Sequence, residues 1–189
     1  LTLMPTTGNI DPSLGEQNWK SPFSHVDEIV QPGYHKLFLD KYNVYVEQTS
    51  TDRVSFYRMT YTEDAESALL FNLGGYVAST TMRNASVKKI SDTKSEGSCD
   101  TYGRHWGGPE TVKIYFAAEI DKPSKTLDGW VDMDKFPDTK TLTGSSKSTR
   151  RAEKEELSYL DSPTSGVAFK HAVKAGEQLP VKMSIAYVG

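Results

Sequence analysis

The sequence is poor in the groups that most often announce a function. It has a single cysteine, Cys99, so there is no internal disulfide and no CxxC pair for zinc, and the compartment stays open on that count. No apolar run approaches the roughly 20 residues that a membrane helix needs, which excludes a helical span. The formal net charge of −3 supplies no basic field for a phosphate backbone and argues against nucleic acid as a partner. GxSxG, a glycine-rich phosphate loop, HExxH and the EF-hand loop are all missing.

What is present points to packed β-structure. A chain of 189 residues is long enough for one substantial core. Ten tyrosines, seven phenylalanines and three tryptophans are available to fill it. Short segments rich in aromatic and β-branched residues predict strands at 33–39, 43–49, 53–61 and 68–74. Val44 and Val46 alternate with polar neighbours, as do Val54 and Phe56, the pattern of a strand with one wet face. Connectors of two to six residues fit antiparallel neighbours and exclude βαβ crossovers. Further strands are predicted at 85–93, 112–120, 165–173 and 179–188. Pro180 is expected at an edge, or just ahead of a strand that starts at Val181. The glycine-rich stretch "EGSCDTYGRHWGGPE", residues 96–110, reads as a loop or an irregular hairpin.

One segment breaks the rhythm. Residues at about 138–165 are mostly hydrophilic and contain "RRAEKEEL", the only plausible helical turn. The stretch reads as an exposed excursion between strands. Eight or more short strands with almost no helix predict an all-β domain, an antiparallel β-sandwich with an open barrel as the alternative. Residues 1–189 read as a single domain. The chain starts "LTLMPTTG" and ends on a strand, so a partial sandwich is expected, incomplete at its N-terminus. An unpaired edge would then invite self-association.

Candidate site residues are few. "SPFSHVDEIVQPGYH", residues 21–35, places His25, Asp27, Glu28 and Gln31 just before a strand. Such side chains hold metals or bind sugar hydroxyls, or simply form the polar edge of a turn. In "YGRHWGG", residues 102–108, Trp106 could stack on a pyranose ring while Arg104 and His105 bind hydroxyls. The alternative is a tryptophan that plugs the end of the sandwich. Asp132 and Asp134 of "DMD" would share one face, about 7 Å apart, if extended. A strand terminus explains that pair more simply. His35 and His171 fall within strands, where face-exposed or hydrogen-bonded roles are expected. Asn84-Ala85-Ser86 matches a glycosylation acceptor, a triplet that chance also supplies. No catalytic residue and no metal ligand is assigned.

The order of several stretches resembles a known family. "LMPTTG", "FSHVDE" followed by "PGYHKLFL", "VYVEQTSTDRVSFYRMTY" into "LLFNLGG", then "IYFAAEIDKP" and "VKMSIAYVG" are similar to the N-terminal domain of glycoside hydrolase family 92. Those enzymes are calcium-dependent, inverting exo-α-mannosidases. The likeness covers most of the chain and is weakest at 76–110 and 124–165. The family usually has glycine at Ser55 and histidine at Tyr57. The resemblance implies a galactose-mutarotase-like supersandwich packed on a helical catalytic domain of the same polypeptide. That helical domain would carry the general acid, the base and the calcium. The present segment would shape one wall of a pocket for α-mannosides, would hold no calcium itself and would be inactive alone. His25, Glu28 and Trp106 are then the residues expected to touch or support substrate. A secreted, periplasmic or cell-surface bacterial setting is also implied. A free-standing carbohydrate-binding module, with Trp19, Trp106 and Trp130 as sugar platforms, is the rival reading. A purely structural sandwich is the third.

Overall fold

The computed structural model describes residues 1–77, 80–105, 108–145 and 164–189. In chain order the strands are β1 (Thr2–Thr7), β2 (Ile29–Gln31), β3 (Tyr34–Leu39), β4 (Val44–Ser50) and β5 (Val54–Tyr61). Next come β6 (Ala65–Asn72), β7 (Gly75–Val77), β8 (Thr80–Lys89), β9 (Lys94–His105) and β10 (Gly108–Ile120). The last are β11 (Leu127–Val131), β12 (Asp134–Phe136), β13 (Thr141–Gly144), β14 (Ser165–Val173) and β15 (Gln178–Ala186). Among the described residues, a 3-10 turn (Pro12–Leu14) and a four-residue helix α1 (Glu16–Trp19) interrupt them.

These strands form a sandwich of two antiparallel sheets. One has five strands in the order β1-β6-β14-β11-β12. The other has ten, ordered β13-β8-β9-β10-β15-β5-β4-β3-β2, with β7 paired to β8. Alternation along each strand sends every second residue into the space between the sheets. Leu69, Phe71, Val167 and Phe169 from the small sheet meet Val44, Met59, Phe116 and Val181 from the large one. The Phe71 ring lies edge-on to Phe169 at 5.2 Å and stacks on Phe116 across the sheets at 6.3 Å. Each such fully buried side chain contributes about 1.5–3 kcal/mol.

The small sheet is covered on its outer face as well. Residues 9–19 cross that face, and Trp19 packs there with Leu70, Trp130 and Ala168. The Trp130 indole lies so close over Gly166 that a methyl group added there would sit 2.7 Å from the ring and 2.1 Å from the Phe71 carbonyl. Only glycine fits. The indole N–H donates to Thr164 Oγ1 at 2.9 Å. Hydrogen bonds shape the crossing segment and pin it. Asp11 caps the 3-10 turn by accepting from the Ser13 amide at 3.1 Å. Asn72 Nδ2 donates to Glu16 Oε1 at 3.0 Å, and the buried Tyr42 hydroxyl donates to the Trp19 carbonyl at 2.7 Å.

Several expectations need correction. Of the two readings of 96–110 the hairpin holds and the loop does not: residues 96–105 and 108–110 are the paired arms of the β9–β10 hairpin. Glycine there does not open a loop, because Gly97 is a strand residue that leaves room for the Phe116 ring. Thr141–Gly144, placed by sequence inside the hydrophilic excursion, adds β13 to the edge of the large sheet through pairing with β8. "RRAEKEEL" lies outside the described residues. Pro180 is within β15, opposite Arg58, one position past the end of β10 at Ile120↔Val181. Its missing N–H therefore faces no partner strand.

Candidate functional site

The stretch 21–35 becomes a turn followed by a hairpin. Pro32 and Gly33 (φ 76°) join β2 to β3 with Gln31 opposite Tyr34. Proline presets the first turn dihedral and glycine accepts the positive second one. The hairpin folds residues 25–31 back along β3, which brings Glu28 against His35.

Glu28 is the hub of this rim. Its Oε2 accepts from His25 Nδ1 at 2.5 Å and its Oε1 from His35 Nε2 at 2.8 Å. A carboxylate only accepts, so each of those ring nitrogens must carry a proton. In the neutral rings, His25 Nε2 and His35 Nδ1 are then left as acceptors. The two imidazole hydrogen bonds, from His25 first and His35 second, hold the Glu28 carboxyl below the usual range. The His25 side chain is 83% exposed, whereas that of Glu28 is 17% exposed. The carboxylate is thus the sheltered member that aims an open imidazole. Phe23 meets the His25 ring edge-on at 5.1 Å.

The backing of this rim is electrostatic. On the opposite face of the same strands, Arg58 makes a two-pronged pair with Glu47, Nε to Oε2 at 2.7 Å and Nη2 to Oε1 at 2.6 Å. The Tyr34 hydroxyl donates to the same carboxylate at 2.7 Å. Arg58 above all pulls the Glu47 carboxyl down to about 2. Tyr34 and Glu47 are therefore tied across β3 and β4, while their neighbours His35 and Gln48, register partners, point to the inner side. A shallow trough of about 480 Å³ lies at this end of the hairpin, bordered by Glu28, Val30, Tyr34, His35, Gln48 and Ser50. Carboxylate, imidazole, amide and hydroxyl groups in one trough suit a ligand rich in hydroxyls.

The structure thus unites His25 and Glu28 and adds His35. The signal for His35 was the "QPG" turn, which sets Glu28 and His35 on facing arms of a hairpin. Trp106 lies outside the described residues. Trp19 and Trp130 are 6% and 1% exposed, so they are core and not the sugar platforms of the binding-module reading. Asp132 and Asp134 do not share an extended strand, since Asp132 (φ 51°) occupies the turn between β11 and β12. Among the described residues, no group of three or more His, Cys, Asp or Glu side chains is placed to hold a metal. No described helix is long and apolar enough to cross a membrane.

Comparisons with known proteins agree on one family. The chain matches the glycosyl hydrolase family 92 N-terminal domain over residues 1–186. The family GH92 α-mannosidase BT3965 from Bacteroides thetaiotaomicron, solved in complex with mannoimidazole, superposes with a TM-score of 0.75 at 23% identity. That alignment covers 99% of this chain and 23% of the other. The family GH92 inverting mannosidase BT2199 from the same organism gives 0.67 at 14% identity, over 99% of this chain and 21% of that one. The GH92 family glycosyl hydrolase ccman5 gives 0.67 at 17%, over 98% and 23%. The chain therefore spans about a quarter of the length of these structures. No curated protein matches it. The two-sheet sandwich and the family match over nearly its whole length lead to one statement: this chain belongs to the N-terminal domain family of glycosyl hydrolase family 92.

Proposed function

We propose that this chain is the non-catalytic N-terminal domain of a secreted or periplasmic bacterial α-mannosidase. It packs on a helical domain of the same polypeptide and shapes one wall of the sugar cleft. The observation that carries this reading is the family match over residues 1–186. The state of the carboxylates supports it. Inverting glycosidases need an acid and a base about 6.5–9.5 Å apart, the acid with a raised pKa. Glu28 and Glu47 are instead held down by imidazole and guanidinium partners. Glu16 is pushed up by burial, but it sits under Asn72 as part of the clip that fastens α1.

Calcium takes six to eight oxygen ligands, roughly. The rim does not fit it, since its one sheltered carboxylate is engaged by two imidazoles. No step is therefore assigned to calcium within this chain; the metal of the inverting enzyme belongs to the remainder of the polypeptide. The role of the rim is to position. Glu28 orients His25, whose Nε2 accepts from a sugar hydroxyl or from a group that contacts the sugar. His25→Ala and Glu28→Ala in the full-length mannosidase test this, with unfolding temperature as control. A raised KM or lowered kcat on mannoside with the fold intact is expected. Unchanged turnover in both variants overturns the wall role of the rim.

A further inference from the structure

A second cleft lies on the outer face of the five-stranded sheet, away from the rim. Its walls are the loop at 9–12 and the β11–β12 hairpin with Phe136 and Pro137. Its floor is Ala68 of β6 and Ala168 of β14, with Leu70 alongside. Small side chains at these two positions leave a cavity of about 380 Å³, within the range of small-molecule sites. Residues 9–19 cover Leu70, Trp130 and Ala168, and the cleft opens beside them where Ala68 stays partly exposed.

Two ion pairs frame the cleft. Lys170 Nζ meets Asp128 Oδ2 at 2.5 Å on the floor. Lys135 from one wall reaches Asp11 on the other. Burial works to raise both carboxyls and is outweighed. Asp128 is held down by the Asp138 amide and Lys170, and Asp11 by Lys135 and Ser13. Both carboxylates are thus ionised acceptors and both ammoniums are donors. Phe136, 40% exposed, offers an apolar face on the wall.

We infer that this cleft is a second carbohydrate subsite, for a neutral pyranoside. Two positive and two negative groups cancel, so the frame gives no net field for an ion. A charged ligand would have to displace one member of a pair and leave its partner uncompensated, which is costly. A neutral sugar avoids that. Its hydroxyls donate to Asp11 or Asp128 and accept from Lys135 or Lys170 without separating them. Its C–H face rests on Phe136 and the alanine floor. The site is independent of the wall role, because it uses no rim residue.

The test titrates the 189-residue chain with methyl α-D-mannopyranoside, followed by saturation-transfer NMR, with glucose 6-phosphate and glucosamine as charged probes. Saturable binding of the neutral sugar is expected, weakened about tenfold or more by Phe136→Ala and by Lys170→Met. Phe136 is half exposed, so its variant keeps the fold, and the unfolding temperature verifies this. Three results would overturn the subsite: no binding, binding unaffected by Phe136→Ala, or tighter binding of a charged probe. None of them touches the wall role, which is read from turnover.

Discussion

The two sheets use the same kind of strand under different conditions. The small sheet buries apolar side chains on both faces, with Phe71 and Phe169 directed inward and Leu70, Trp130 and Ala168 directed outward under residues 9–19, beside the Lys170–Asp128 pair. The large sheet is apolar only inward. Its outer face is laced with opposite charges, Lys94 with Glu119 at 3.6 Å, Lys113 with Asp100 at 3.8 Å and Arg58 with Glu47 at 2.6 Å. Exposed pairs of this kind contribute about 0–1 kcal/mol each. Both sheets share the main core; the roof adds a second buried layer to the small sheet alone, while the outer face of the large sheet stays a charged surface.

Removing the roof's anchor should break this contrast most strongly. Trp130→Ala deletes an indole that is 1% exposed and orphans Thr164 Oγ1. A loss of about 3–5 kcal/mol is expected from denaturant unfolding. A cost below about 1 kcal/mol would mean that the outer face is not a packed layer.

A smaller effect should sharpen it. His171 is buried on the inner side of the small sheet at 0% exposure. Burial first, then the positive charge of Lys122, pushes its pKa down to about 4, against the Pro123 carbonyl and Glu177, which favour the charged ring. The Pro123 carbonyl makes no well-aligned hydrogen bond, since both ring nitrogens are without partners. The folded pKa lies below the unfolded value near 6.5. The unfolded chain therefore binds the proton first as pH falls. The stability that a neutral His171 supplies is complete above about pH 6.5 and is lost down to about pH 4, by about 3 kcal/mol in all. Below that the slope from this group vanishes. Unfolding free energy measured from pH 7 to pH 4 should show this decline in the parent and lose most of it in His171→Leu. An equal decline in both proteins would place the acid sensitivity elsewhere.

The contrast also explains what the sequence made legible. Strands of the large sheet between 33 and 61 stand out because one face is wet, so Val44, Val46 and Val54 alternate with polar residues. In the doubly covered sheet that alternation collapses into runs such as "ALLF" and "GVAF". Those runs announce burial but not which face is roofed. β2, β12 and β13 are three or four residues long, too short for any periodicity to register, and they take their conformation from a neighbour already in place. At the rim, His25 and Glu28 could be chosen by chemical type. Their union with His35 depends on a hairpin register that composition does not encode. The outer cleft was invisible for a related reason: Asp11 and Lys135 are far apart in the chain, and Ala68 and Ala168 are unremarkable until the register sets them on one floor.

The proposed function has this sandwich border a sugar cleft while the proton-transferring carboxylates belong to the rest of the polypeptide. Hydrolysis of an aryl α-mannoside by the purified 189-residue chain, with and without added calcium, tests it most directly. No turnover above the buffer rate is expected in either condition, against clear turnover by the full-length enzyme. Turnover by the short chain that disappears when one of its own Asp or Glu residues is replaced by the amide would contradict it.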